Sequence, residues 1–210
     1  MNRPLPAFAV PSPGGEELAL VAGCRAGDRA SLDRFFRTYV SYVERVIVRL
    51  LGPSSDLQDL VQSTFTEAIQ SFDRFRGEAS LKTWVTRIAV HLATHQLRTG
   101  VRRHVPLELV ALAQQPLASD CSADVQVSVR QLARQLYHLL DRLAPKKRVA
   151  FLLYAVEEYP IDEVAALTGA SRAATKSRIW FARRELLAAV KSRPELRAFL
   201  QTSLGGESWR

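Results

Sequence analysis

Apolar residues recur at steps of three and four through most of this 210-residue chain, and no stretch sustains the alternation of a half-buried strand. The pattern predicts an all-α protein. A first strong helix is expected from about Ala30 to Leu51, with Leu32, Phe35, Phe36, Tyr39, Val43, Val46, Ile47 and Leu50 on one face. Gly52-Pro53 stops it. Ser55 and Gln58 have capping-box spacing for a second helix that buries Leu57, Leu60, Val61, Phe65, Ile69 and Phe72. A charged loop, Asp73 to Glu78, leads to a third helix from near Ser80 to Gly100, which carries Leu81, Trp84, Val85, Ile88 and Leu92 inward.

The helical period fades between Val101 and Ala123, where Pro106 and Pro116 sit among small residues. A flexible linker here divides the chain into two small helical domains. The second begins with Val125, Val129, Leu132, Leu136, Leu139 and Leu143 at helical spacing. Pro145 suits the first turn of the next helix, which carries Val149, Phe151, Leu152 and Val156. Glu157–Tyr159 reads as a turn, Pro160–Thr168 as a short helix, and Gly169 as its stop. Ser171 caps a last helix reaching about Ser192. Residues 1–15 and 199–210 read as tails.

The 29 Lys and Arg residues exceed the 21 Asp and Glu, for a net charge of +8, which favours a polyanionic partner. No apolar run reaches the ~20 residues of a bilayer span, and Pro6 and Pro11 interrupt the only apolar stretch near the N-terminus. A cytoplasmic protein without membrane insertion is expected. Two cysteines, Cys24 and Cys121, are too few for a disulfide framework. His91 and His95 have a spacing that can hold a metal, but Leu92-Ala93-Thr94 between them lacks a metalloprotease glutamate and no third ligand is near. No glycine-rich phosphate loop or nucleophile elbow is present. No cofactor, metal site or enzymatic activity is expected.

Residues 160–179 have the grammar of a helix-turn-helix. Small Ala165 lets a second helix approach, and Gly169 suits the positive φ of the turn. The second helix packs through Ile179, Ala182, Leu186 and Val190 and leaves Arg172, Ala173, Lys176 and Ser177 outward. Arg178, Arg183 and Arg184 extend the positive charge. A recognition helix reads base edges with its N-terminal residues. Thr175 stands where this motif usually places Val or Ile, and its hydroxyl is expected to bond a carbonyl one turn back. The plain alternative is a helical hairpin with a solvated basic face.

With both domains placed, the chain resembles the bacterial sigma-70 family, in particular its small extracytoplasmic-function members. The resemblance runs from Gly27-Asp28-Arg29-Ala30 through Asp56-Leu57-Gln58-Asp59-Leu60-Val61-Gln62, Phe72-Asp73-Arg74-Phe75 and Thr83-Trp84-Val85-Thr86-Arg87-Ile88-Ala89. It resumes at Lys147-Arg148, Phe151-Leu152-Leu153 and Glu163-Val164-Ala165, then Lys176-Ser177-Arg178 and Ala182-Arg183-Arg184-Glu185-Leu186. It implies a sigma region 2 domain over residues 16–104, a linker over 105–124 and a sigma region 4 domain over 125–198. It also implies core RNA polymerase docking through Asp56, Asp59, Leu60, Gln62 and Phe65, where Asp56, Asp59 and Gln62 share a polar face. Recognition and melting of the minus-ten element, with capture of the non-template strand, would fall to Asp73, Arg74, Phe75, Arg76, Lys82, Trp84, Arg87, His91, Arg98, Arg102 and Arg103. Arg87, His91, Thr94 and Arg98 form a polar stripe, while the spacing assigns Trp84 to the core side. Duplex upstream-element contacts would come from Arg172, Ala173, Lys176, Ser177, Arg178 and Arg183. An anti-sigma protein clamping the two domains is a further partner that the resemblance allows.

The sequence departs from the family at Glu158 and Pro160, where Gly and a capping Ser are usual, and at Arg172-Ala173-Ala174-Thr175, commonly Glu-Gly-Thr-Val. Two rival functions remain open at this level. A stand-alone helix-turn-helix repressor or activator would bind a palindromic operator as a dimer. A helical adaptor would leave the cations of the last helix unexplained.

Overall fold

The structure, a computed structural model, describes residues 14–52, 54–99 and 135–191. Among these residues it is built of helices with no strand. In the N-terminal domain α1 spans Gly15–Arg25, α2 Arg29–Leu51, α3 Leu57–Ser71 and α4 Leu81–Thr99, with a 3-10 turn at Phe72–Arg74. In the C-terminal domain helical residues 135–140 precede α5 (Pro145–Ala155), α6 (Ile161–Thr168) and α7 (Arg172–Ala189). The expected linker, the C-terminal tail, residues 1–13 of the N-terminal tail, Arg102, Arg103, Cys121 and the expected helix positions Val125, Val129 and Leu132 lie outside the described residues, and Gly15, assigned to the tail, instead opens α1.

Local chemistry sets most of the boundaries. Asp28 caps α2 by accepting from the Ser31 N–H at 2.8 Å and the Ser31 hydroxyl at 2.7 Å. Those hydrogen bonds hold its carboxyl below the ordinary range. Gly52, at φ +80°, ends α2. Pro145 occupies the first turn of α5, where its missing N–H leaves no bond unmade. Gly169 ends α6 at φ +60°, and the Ser171 hydroxyl caps α7 by accepting from the Ala174 N–H at 3.2 Å. The expected capping box of α3 does not form. The helix begins at Leu57 with Asp56 as its cap residue and no side-chain cap bond, and Gln58 reaches across to Glu44 at 3.1 Å.

Phe35 is fully buried in the N-terminal core, its ring meeting Tyr39, Phe65 and Phe72 at 5.0–5.5 Å. Phe36, Ile69 and Val156, expected inside, are exposed instead. They flank apolar stripes that are narrower than the sequence spacing suggested. Helix α1 was not singled out by periodicity, yet it buries Leu20, Val21 and Cys24 against α2.

The two domains close on each other and share one core. Helices α2 and α4 pack on α5, and α4 also packs on α6. The polar part of this seam is built around the end of α2. The last four carbonyls of a helix have no partner within it. Here the Val48 carbonyl accepts from the Gly52 N–H at 2.7 Å and the Tyr137 hydroxyl at 3.3 Å, and the Leu50 carbonyl accepts from Arg148 Nε at 2.8 Å. Arg148 is fully buried and also binds Asp141. Arg49 pairs with Glu157, and the Tyr42 and Tyr159 hydroxyls share a hydrogen bond. Burial, then the Tyr42 bond, pushes the Tyr159 phenol well above its ordinary range.

The turn that delivers Glu157 and Tyr159 to the seam contains the one non-glycine residue with positive φ among the described residues, Glu158 at +57°. A side chain in this region crowds the backbone, a strain that glycine would not carry. Glu158→Gly is expected to stabilise the fold by about 0.5–1 kcal/mol, seen as a higher urea midpoint. A lower midpoint would mean that the glutamate contributes more through its side chain than its backbone strain removes.

Candidate nucleic-acid interface

Three surfaces carry the residues singled out by the sequence. The first is the outer face of α3. Asp59 and Gln62 are exposed there, and Leu60 is half-buried. Asp56 is half-buried, and its carboxylate accepts from Gln96 Nε2 at 3.2 Å, tying the start of α3 to α4. Phe65 is not part of this surface. Its side chain is buried against Phe35 and Phe36, with ring centroids at 5.4 and 4.8 Å.

The second surface joins the loop after α3 to one side of α4. Asp73, Arg74 and Arg76 are exposed, whereas Phe75 is buried with its ring 5.3 Å from Trp84. Phe75 is therefore a support of the loop and not a contact on its surface. Trp84 is half-buried and also packs on Phe72 at 5.2 Å, in keeping with the core role its spacing suggested. Arg87, His91 and Arg98 lie exposed along α4, with Thr94 half-buried among them. Lys82 turns away from this side, its ammonium 4.3 Å from the centre of the Tyr42 ring at the seam.

Two residues of α1 hold the loop, and sequence reasoning missed both. Arg25 Nε donates to the Phe72 carbonyl at 3.0 Å, and its guanidinium also binds the Phe75 carbonyl. Glu17 accepts from the Leu81 N–H at the start of α4. A carboxylate at a helix N-terminus satisfies an orphan donor and complements the helix dipole. Both ends of the loop are thus pinned from α1, across sequence separations that no local pattern reveals.

The third surface is the helix-turn-helix of α6 and α7. Ile179, Ala182, Leu186 and Val190 are buried as the spacing predicted, and Arg172, Ala173, Lys176 and Ser177 are exposed. Arg178 and Arg183 are half-buried on the flank. Arg172 Nε lies 3.2 Å from the Asp162 carboxylate of α6, which orients its guanidinium at the start of α7. Farther along α7, Trp180 and Phe181 are exposed and meet edge-to-face at 4.9 Å.

Thr175 departs from expectation. Its side chain is fully buried, but its hydroxyl has no hydrogen-bond partner among the described residues, so the carbonyl one turn back does not receive it. A buried donor without a partner costs more than a lost contact, because water no longer solvates it. Thr175→Val keeps the shape and removes the polar atom. It should raise stability by about 1–2 kcal/mol in denaturant unfolding and leave duplex binding unchanged. A destabilised variant would indicate that the hydroxyl is satisfied in solution.

Among the described residues, no group of three or more His, Cys, Asp or Glu is placed to hold a metal ion. No helix among them is long and apolar enough to cross a membrane.

Comparison with known proteins places these surfaces in a family. Residues 35–103 match the model of Sigma-70 region 2, and residues 133–186 match that of Sigma-70, region 4. The ECF RNA polymerase sigma-E factor of Escherichia coli strain K12 is 27% identical over 170 residues, covering 78% of this chain and 88% of that relative. The RNA polymerase sigma-H factor of Pseudomonas aeruginosa is 24% identical over 174 residues, covering 80% and 90%. Among solved structures, CnrH in complex with the cytosolic domain of CnrY superposes with a TM-score of 0.61 at 21% identity, over 84% of this chain and 98% of that one. Its fold is shared here. The two matched regions stand in order on one chain and carry the α3, α4 and α7 surfaces just described, and the chain belongs to the sigma-70 family of RNA polymerase sigma factors, in its extracytoplasmic-function branch.

Proposed function

We propose that this sigma factor docks on core RNA polymerase through the exposed face of α3 around Asp59 and Gln62 and directs transcription initiation in the cytoplasm. The loop from Asp73 to Arg76 and the Arg87–His91–Arg98 side of α4 recognise and open the minus-ten element. Spaced cations there hold the phosphates of a melted non-template strand, a contact that weakens as salt rises. The first turns of α7 enter the duplex major groove upstream, with Arg172, Ala173, Lys176 and Ser177 at the base edges. The protein contributes recognition, and nucleotide addition belongs to the polymerase. One solved relative, the sigma factor RpoE of Bartonella quintana, was determined with the anti-sigma factor NepR, and a partner of that kind is proposed for this chain too.

The observation that carries this reading is the ordered pair of region 2 and region 4 matches, with the recognition turns of α7 left exposed. Addition of the protein to purified core polymerase on a library of promoter-like fragments should yield discrete run-off transcripts. Tight binding of the free protein to a palindromic duplex, with no transcript from the mixture, would instead mean a stand-alone regulator. On the same library, Arg172→Ala should shift the preferred upstream base at one position by about 1–3 kcal/mol. An unchanged preference would leave Arg172 as a partner of Asp162 only.

A further inference from the structure

Closure of the two domains forms a cleft of about 660 Å³ whose walls come from both. From the N-terminal domain it receives Arg74, Arg87, His91, His95 and Arg98, and from the C-terminal domain Lys146. Glu67 is the one acidic residue in its lining. None of the three arginines nor Lys146 takes part in an ion pair among the described residues. Lys146 lies in the first turn of α5, where the helix dipole is positive. The carbonyl end of α6 opposite is already satisfied, since the Gly169 and Ala170 N–H groups donate back to Ala166 and Ala165.

We propose that this cleft binds a small polyphosphate anion and that Lys146 completes the site only while the domains are closed. Unpaired cations from three elements repel one another until an anion is placed among them. Arginine forks favour phosphate oxygens in particular. At a rise of about 1.5 Å per residue, Arg87 to Arg98 spans roughly 16 Å, so an extended chain of phosphates reaches more of the cations than a single anion does. The site shares Arg74, Arg87, His91 and Arg98 with the proposed promoter face. It rests on the closed packing, however, and not on promoter contact. A bound polyphosphate therefore favours the closed state and competes with a DNA strand for α4.

Sodium tripolyphosphate is the probe, titrated into the full chain by calorimetry, with sodium sulfate at matched ionic strength as the control. A single saturable site is expected, and both Lys146→Ala and Arg98→Ala should weaken it about tenfold. A short single-stranded oligonucleotide distinguishes the two sources of phosphate, because it needs only α4 and the Asp73–Arg76 loop of the N-terminal domain. Its affinity should fall with Arg98→Ala and hold with Lys146→Ala. An equal response to sulfate, or tripolyphosphate binding insensitive to Lys146→Ala, overturns the cleft site. Run-off transcription with core polymerase reports the promoter reading separately, so a failure there leaves the tripolyphosphate result standing on its own.

Discussion

Arg148→Met is expected to destabilise the protein by about 3–5 kcal/mol, the range for breaking a buried ion pair from one side. Arg148 is fully buried, so neither the guanidinium nor the Leu50 carbonyl has water to fall back on, while the Asp141 side chain keeps 26% of its exposure. Its Nε supplies the hydrogen bond that the Leu50 carbonyl lacks at the end of α2, and its Nη1 binds Asp141. Methionine fills similar volume but leaves the Leu50 carbonyl unmet and removes the charge opposite Asp141. A cation at a helix C-terminus also complements the dipole, and that contribution is lost with it. Because Arg148 belongs to the C-terminal domain and Leu50 to the N-terminal one, the loss falls on the seam. Denaturant unfolding should show a lower midpoint and a transition that separates into two. Arg148→Lys keeps the charge without the fork and should fall between the two proteins. A Met variant within about 1 kcal/mol of the parent would mean that Arg148 is dispensable and that the closed packing rests on apolar contact alone.

That residue also marks where the sequence stopped being readable. Helices α2, α4 and α7 could be drawn from apolar spacing, because an amphipathic helix leaves its period in the residue order. The ends of α2 and α6 could be drawn as well, since Gly52 and Gly169 occupy positive φ, which glycine alone adopts freely. The exposed recognition turns at Arg172 to Ser177 followed from the same periodicity. Spacing does not encode a residue's partner. Arg148 reads as one more cation in a basic stretch until the fold brings it to Leu50, 98 residues away in sequence. Arg25 and Glu17 likewise reach the loop and α4 over separations of 47 and 64 residues, and α1 itself is short and bordered by glycines. The aromatic residues erred in both directions for a related reason. The resemblance set Phe65 and Phe75 among the contact residues, yet their rings turn into the core, where helical spacing had already put Phe65, while Phe36 lies at the edge of its stripe and stays outside. For the candidate site, the polar stripe of α4 was legible, but the cleft it lines was not, because Lys146 arrives from the other domain.

Gly52→Ala should cost about 2–4 kcal/mol, with two separable causes. At φ +80° and ψ −177° the residue occupies a region that essentially only glycine enters, and any side chain there adds backbone strain. A Cβ at this position would also lie 2.9 Å from Cδ1 and 3.2 Å from Cε1 of the Tyr137 ring. Tyr137 cannot simply withdraw. Its hydroxyl donates to the Val48 carbonyl, the same acceptor that the Gly52 N–H uses. Moving the ring would break the bond that ties the helix end to the second domain, so relief of the clash opens the seam. Combining Gly52→Ala with Tyr137→Ala separates the two causes. The clash disappears in the double variant, while the backbone strain persists. If the two losses instead add in full, the ring and the Cβ do not meet, and Gly52 acts only as the stop of α2. If they add to less, the tight approach of Tyr137 to Gly52 is one of the contacts that set the distance between the domains. The spacing of the two domains would then depend on a residue whose evident role in the sequence was only to end a helix.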